Sequence, residues 1–156
     1  IMNAVEDDVF ISSTYGGDLL AITAAVKTIE VLKKQNVNSY ILNLGQKLKE
    51  GLNAIIENNN ISASCEGMPH RTFIVFRDAE GVSSKMIETL FRQECLTRGI
   101  FLGYVHFICF SHTENDIKAT LEAASEVFAL IRKALENGNL STYLKGPVAK
   151  DVFRRY

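Results

Sequence analysis

A cluster of hydroxyl groups and glycines stands directly before a helical pattern near the start of the chain. The segment is SSTYGGD at residues 12–18, and apolar residues with helical spacing follow from Leu19. The start of a helix carries free backbone N–H groups and a partial positive charge, so such a segment can bind an anion. Asp18 can instead cap the helix by accepting a hydrogen bond from one of those N–H groups. Taken alone, the segment is more typical of the cap.

Two histidines and a cysteine are evenly spaced further along the chain, and both residue types bind metals. They are His106, Cys109 and His112. If they lie on one continuous strand, the two histidines share a face about 20 Å apart and the cysteine points to the other face. A common metal would need the strand to be broken, so we expect structural roles for these residues.

Other residues with reactive side chains stand without the partners that catalysis requires. His70 and Arg71 follow Pro69 and could contact an anionic substrate, although a solvated turn is the more typical role. Cys95 has no histidine beside it in the sequence, so nothing marks it as a nucleophile. The chain contains none of the common nucleotide-binding, zinc-protease or serine-hydrolase motifs. The residues alone therefore give no complete catalytic site.

Composition narrows the class of protein. The 156 residues suit one domain, and a net charge of −1 gives no overall field that favours nucleic acid or an anionic membrane. No apolar run is long enough to span a bilayer. The three cysteines are too few and too scattered for a disulfide framework, which is typical of a protein from the reducing cytoplasm. The first residue is Ile1 rather than Met, which indicates a piece of a longer chain.

The elements that would position these residues follow from hydrophobic spacing and turn signals. Helices are predicted at 19–35, from 38 or 39 to about 58, at 83–98 and at 113–135. Short strands are predicted at 9–11, 61–65, 71–76, 100–102 and 106–110. The run at 71–76 hardly alternates, so it should be the central strand. Helices around a small, mostly antiparallel sheet give an α+β fold.

The first half of the first predicted helix is apolar around most of its circumference. Leu19, Ile22, Val26 and Ile29 form one stripe, and alanines widen the apolar surface in its first half. Such a helix is expected to be buried or to pack against something outside this chain.

Several phrases, in order, resemble class III aminotransferases, especially glutamate-1-semialdehyde aminomutases and their relatives. The segment VFISSTYGGDLLA at 9–21, after IMNA at 1–4, resembles the family's Gly-Thr-Phe-Gly-Gly phrase before a long alanine-rich helix. That helix ends in Thr-x-Glu-Val-Leu in the family and in KTIEVL at 27–32 here. RGIFL at 98–102 and SHTENDI at 111–117 are similar to two later family segments. The matches span residues 1 to about 135.

The resemblance implies an enzyme of fold type I that uses pyridoxal 5'-phosphate (PLP), of which this chain is the C-terminal third. Residues 1–36 would be the end of the large domain with the connecting helix, 37–137 the small α+β domain, and 138–156 a tail. In such enzymes the residue matching Thr14 holds the cofactor phosphate of the neighbouring subunit, helped by the backbone at the position of Ser13. The resemblance therefore implies a homodimer in which the phosphate contact crosses the interface between the two subunits.

The family chemistry also requires residues that this chain lacks. A lysine forms a Schiff base with PLP and an aspartate pairs with its pyridine nitrogen. Both precede the phosphate-binding threonine in the family, so both would lie before Ile1, and the 156 residues alone are expected to be inactive.

One departure from the family concerns the reaction. The aminomutases carry a glutamate shortly before the His-Thr segment, whereas residues 103–107 (GYVHF) contain no acid. This favours an aminotransferase related to the aminomutases over an aminomutase itself. The implied substrate is a small amino acid or amino sugar, and Arg71 is the candidate to bind its acidic group.

Two alternatives remain open on the sequence. The chain could be a stand-alone α+β module that binds a ligand or a partner, or a noncatalytic relative that acts through its interface. An enzyme fragment should leave the face at residues 19–26 partly uncovered or packed on another chain, whereas a complete module should bury it internally.

Overall fold

The computed structural model describes residue 14 and residues 16–150, and the chain divides into two compact units. The first unit is Ile1–Asn38 and the second is Ser39–Tyr156. The strand predicted at 9–11, Ser13, and the last residues of the predicted tail lie outside the described residues.

In the first unit, helix α1 spans Leu19–Lys34, as its apolar spacing predicted. Asp18 caps it, and the Asp18 carboxylate accepts a hydrogen bond from the backbone N–H of Leu20 at 3.0 Å. None of the residues of α1 is buried. Leu19 and Leu20 are 78% and 80% exposed, and the stripe that continues through Val26 and Ile29 is also open to solvent.

The second unit contains three helices and a small sheet that share one hydrophobic core. The helices are α2 (Val37–Asn58), which begins just before the unit boundary, α3 (Ser84–Thr97) and α4 (Glu114–Glu136). The strands are β1 (Ala63–Met68), β2 (Arg71–Phe76) and β3 (His106–Phe107), followed after α4 by a 3-10 helix at Leu140–Tyr143. The sheet is antiparallel in the order β1-β2-β3, so β2 is central, as predicted. The unit has the predicted α+β fold.

The helix ends follow their local sequence signals. Thr113 and Asp116 form a capping box before α4, in which the Asp116 carboxylate accepts from the Thr113 N–H at 2.7 Å. Beyond α2, Asn60 has a φ of 50°, and beyond α3, Gly99 has a φ of 78°. Asparagine and glycine tolerate this left-handed conformation, which ends the helices where the sequence predicted.

The strands differ from the sequence prediction in two places. The predicted turn at 66–70 is wrong at its start, because β1 continues to Met68 and the hairpin turn consists of Pro69 and His70. The strand predicted at 100–102 is absent from this described stretch, and the one predicted at 106–110 ends at Phe107. Neither stretch pairs with a neighbour over its predicted length, and a segment cannot be a strand without a partner to hydrogen-bond.

The core lies between the helices and the sheet and centres on three phenylalanines. The ring centroids of Phe91 and Phe128 are 4.8 Å apart, and Phe76 of β2 packs 5.4 Å from Phe91. Leu44 and Leu52 of α2 are also buried. Tilted aromatic pairs at these distances add attraction to the burial of apolar surface. This core fixes the helices on the sheet and so positions the loops around β3.

Segments beyond α4 also pack on the unit. Leu140 is buried, and the Gln93 side chain of α3 donates to the Tyr143 carbonyl and accepts from the Lys145 N–H. Residues 140–145 are therefore tied to α3.

Candidate functional site

The residue predicted to meet a phosphate, Thr14, lies in an exposed turn before α1. Gly16 and Gly17 share that turn and are exposed as well. A side chain added at Gly17 would meet no atom within 4 Å, so its backbone is open to approach. The N–H of Leu20 is already occupied by the Asp18 carboxylate. An anion would therefore meet the Thr14 hydroxyl and the turn rather than the end of the helix, where it would also face a carboxylate. Ser13 lies outside the described residues.

Arg71, the predicted substrate-binding residue, begins β2 and is exposed. It stands opposite Met68 of β1 and Phe107 of β3, and its guanidinium lies 5.8 Å from the centre of the Phe107 ring. Among the described residues, no carboxylate forms an ion pair with it. A guanidinium on an aromatic face that lacks an acidic partner can bind an incoming carboxylate or phosphate.

His106 has a structural role, as predicted. The residue is 7% exposed, its Nδ1 lies 3.3 Å from the Thr72 hydroxyl oxygen, and its ring also hydrogen-bonds the Gly103 backbone. Burial, together with the positive charge of Arg92, lowers the pKa of His106 to about 4. The side chain is therefore neutral at neutral pH.

Cys109 and His112 are closer together than the sequence predicted. We expected the cysteine on the face opposite both histidines, but the strand ends at Phe107 and a turn brings the Cys109 sulfur within 3.5 Å of His112 Nδ1. His106 does not join them, and no group of three potential metal ligands forms within the described part of the chain. The Cys-x-x-His spacing was the sequence signal for this pair, since three residues suffice to close a turn.

The second unit contains a mostly apolar cavity of about 370 Å³ that the sequence did not predict. It lies between α2, the loop before β3 and the first turns of α4. Its lining includes Leu48, Phe101, Phe107, His112, Asp116 and Thr120. The polar side chains in it already have partners, because Asp116 accepts from Thr113 and His112 accepts from the Cys109 N–H. A molecule in the cavity would therefore make mainly apolar contacts and few hydrogen bonds.

Two further observations bear on the class of protein. Cys65, Cys95 and Cys109 are all free thiols. None of the helices within residues 16–150 combines the length and hydropathy that crossing a bilayer requires.

Comparison with known proteins shows which sequences this chain resembles. No protein-family profile matches the chain. It is 29% identical over 136 residues to 3-aminobutyryl-CoA aminotransferase of Cloacimonas acidaminovorans, a match that covers 86% of this chain and 33% of that enzyme. The chain thus spans about a third of the length of this relative.

Three solved structures share its fold. The PLP internal aldimine form of the FumI protein from Sphingopyxis sp. MTA144 matches 83% of this chain with a TM-score of 0.69 and 21% identity. An omega-transaminase from Sphaerobacter thermophilus matches 80% with a TM-score of 0.65 and 12% identity. A transaminase with PLP bound matches 82% with a TM-score of 0.69 and 14% identity. In each case the chain covers 31% of the solved protein.

These likenesses confirm the resemblance to PLP-dependent aminotransferases and the α+β fold that it implied, whereas the closer relationship to the aminomutases stays a prediction. In sequence and fold together, the chain is consistent with the C-terminal portion of a class III aminotransferase.

Proposed function

We propose that this chain is the C-terminal part of a PLP-dependent aminotransferase. The observation that carries the proposal is the match over 86% of the chain to about a third of an aminotransferase, with the same fold in three transaminases. The exposed apolar stripe of α1 supports it. A helix of this kind is stable when further polypeptide covers it, and a complete binding module would bury it internally.

The described residues fit the phosphate of PLP. Thr14 offers a solvent-accessible hydroxyl, and the glycine turn lets a phosphate approach the backbone closely. Hydrogen bonds from neutral donors to a charged phosphate are stronger than those to a neutral acceptor. Thr14, with the backbone of Ser13, would therefore hold the phosphate, while Asp18 keeps the end of α1 closed to it. Bound PLP would supply the electron sink that amino-group transfer needs.

The lysine that binds PLP covalently and the aspartate that pairs with its ring belong, in this proposal, to polypeptide that precedes these 156 residues. The chain then contributes phosphate binding, substrate binding and an interface, and it is inactive by itself. Thr14 acts on the cofactor of a second subunit, so the complete enzyme is a homodimer. The uncovered stripe of α1 is one surface that such an assembly can cover.

The reaction is amino-group transfer in an enzyme related to glutamate-1-semialdehyde aminomutases. Residues 103–107 lack the aminomutase acid, and the relative that the chain matches is named as an aminotransferase. The substrate is a small amino acid or amino sugar. Arg71 binds its acidic group, because its guanidinium is exposed and has no carboxylate partner within the described residues.

The test uses the full-length protein purified with and without added PLP. We expect the absorption band of protein-bound PLP, and loss of that band on addition of an amino donor, with transfer of the amino group to a 2-oxo acid. A full-length protein that binds no PLP would contradict the proposal. The isolated 156 residues serve as the control, and amino transfer by them alone would contradict the placement of the lysine outside the chain.

A further inference from the structure

Two rows of side chains lie on opposite faces of the sheet where β3 joins it. The first row is Met68, Arg71 and Phe107, which are partners in register on neighbouring strands, and the Arg71 guanidinium lies 5.8 Å from the centre of the Phe107 ring. Thr72 and His106 are the next pair in register, and both are buried. Because successive residues of a strand point to opposite faces, this buried pair lies behind the arginine and the phenylalanine.

The buried pair belongs to a chain of hydrogen bonds that crosses all three strands. The Thr72 hydroxyl oxygen lies 3.3 Å from His106 Nδ1, and the same side chain hydrogen-bonds the Cys65 side chain of β1. The His106 ring also hydrogen-bonds the Gly103 backbone in the loop before β3. A buried polar group that loses its partner costs free energy, so such a chain holds its members in one arrangement.

The backbone alone specifies the position of β3 weakly. Within the described residues, β3 pairs with β2 at two positions only, Arg71 with Phe107 and Thr72 with His106. A slip of one residue would turn the His106 ring outwards and the Phe107 ring into the core, because side chains alternate between the two faces. The slip would also separate the Thr72 hydroxyl from His106 Nδ1. The hydrogen bond between these two side chains therefore fixes which ring lies beside Arg71.

We propose that Thr72 and His106 are positioning residues for Arg71, because their buried hydrogen bond holds the Phe107 ring against the guanidinium that binds the acidic group of the substrate. A guanidinium held on an aromatic face is already oriented, so it loses less freedom when a carboxylate binds. The role of the two buried residues rests on the proposed function of Arg71. It depends on contacts within the sheet and not on the exposure of its surface.

The test measures the binding of glutarate, a dicarboxylate, to the full-length protein by isothermal titration calorimetry, because this binding requires no amino transfer. Thr72→Val keeps the shape of the side chain and removes the hydroxyl, and we expect it to raise the Kd for glutarate by about threefold or more. Thr72→Ser keeps the hydroxyl and should stay close to the wild type. In an Arg71→Gln background, Thr72→Val should have no further effect, since it acts through the arginine.

Two substitutions of the histidine provide a second pair of variants. His106→Leu fills the buried site without a polar group and should weaken glutarate binding as Thr72→Val does. His106→Asn keeps a polar group near the position of Nδ1 and should bind glutarate more tightly than His106→Leu. In the active enzyme, Thr72→Val should raise KM for an acidic amino donor, with little change in kcat or in KM for a donor that lacks the second acidic group. A general structural defect would instead change these constants for both donors.

The outcomes separate the positioning role from the proposed function. An unchanged Kd for glutarate in Thr72→Val, or the same loss of affinity with and without Arg71, would overturn the positioning role. A wild-type protein that does not bind glutarate would overturn it as well. A full-length protein that binds glutarate through Arg71 and Thr72 but transfers no amino group would contradict the proposed reaction and leave the positioning role standing.

Discussion

The hydroxyl of Thr72 and Nδ1 of His106 lie 3.3 Å apart across the pair of strands β2 and β3, and both residues are buried. Burial lowers the pKa of His106 to about 4, below its ordinary value of 6.5. The unfolded chain therefore binds a proton at this histidine between those two pH values, whereas the folded chain does not. The stabilisation is fully present above the pKa that His106 has in the unfolded chain. It is lost as the pH falls toward the pKa of His106 in the folded chain.

We expect the free energy of unfolding to fall by about 2 kcal/mol between pH 7 and pH 5 because of this one histidine. Urea unfolding of the chain at the two pH values measures the difference. His106→Gln should remove most of the difference, whatever its own effect on stability at pH 7. His70→Gln, at a partly exposed position in the hairpin turn, is the matched control and should keep it. An unchanged pH dependence in His106→Gln would contradict the assignment.

Gly45 of α2 packs directly against the hairpin turn between β1 and β2. A Cβ at this position would overlap the carbonyl oxygen of Pro69, which is backbone and cannot rotate away. Alanine ordinarily stabilises a helix relative to glycine. Here the overlap of its Cβ with the backbone of Pro69 would make the substitution destabilising instead. We expect Gly45→Ala to lower the free energy of unfolding by about 2–3 kcal/mol.

Gly51 of the same helix is the control for this prediction. A Cβ there would lie 2.6 Å from the tip of the Leu121 side chain, which can move to another rotamer. Gly51→Ala should therefore cost clearly less stability than Gly45→Ala, as measured by urea unfolding. Equal costs at the two glycines would show that the close approach to Pro69 is unimportant.

The helices could be predicted from the sequence because their signals are local. The apolar stripe of α1, the capping box at Thr113 and Asp116, and Gly99 after α3 depend only on residues a few positions apart. The apolar composition of α1 allowed either burial within this chain or packing against something outside it. The observed exposure of the stripe fits the second of these. Thr14 is accessible, as its proposed role requires, but its contact with a phosphate remains a prediction.

The strand ends could not be predicted because they depend on partners that are distant in sequence. β1 extends to Met68 because its residues pair with β2, and the Asn53 side chain of α2 holds its outer edge through the Cys65 backbone at 2.8 and 3.0 Å. β3 ends at Phe107, since its pairing with β2 stops at the start of that strand. The proximity of Cys109 and His112 follows from this early end, so the wrong prediction for the strand also placed these two side chains too far apart.

Arg71 is expected to bind the acidic group of the substrate in the full-length enzyme. Its guanidinium is exposed beside the Phe107 ring and has no acidic partner within the described residues. Arg71→Gln should raise KM for an acidic amino donor by about tenfold or more, with a smaller change for a donor that lacks the second acidic group, because a charge-assisted pair is lost. Arg77→Gln is the matched control, since Arg77 ends the same strand region but pairs with Glu66 at 3.5 Å. Equal effects of the two substitutions would contradict a specific role for Arg71.

Thr14 is expected to hold the phosphate of PLP, and the cap at the start of α1 makes this prediction specific. The Asp18 carboxylate already accepts from the Leu20 N–H, so the nearby hydroxyl of Thr14 is the donor that remains exposed. Thr14→Val keeps the shape of the side chain and removes the hydroxyl, whereas Thr14→Ser keeps the hydroxyl. A hydrogen bond to a charged group contributes about 1.5–3 kcal/mol, so Thr14→Val should weaken PLP binding by about 10- to 100-fold.

Equilibrium dialysis of the full-length protein against PLP measures this affinity, and Thr14→Ser should stay close to the wild type. Pyridoxal without phosphate provides the second arm, because it lacks the group that Thr14 is proposed to bind. Its affinity should be the same in the wild type and in Thr14→Val. If Thr14→Val weakens the binding of pyridoxal as much as the binding of PLP, the role of the threonine is to support the turn and not to bind the phosphate. Only the loss of a phosphate contact would lower the affinity for PLP and leave the affinity for pyridoxal unchanged.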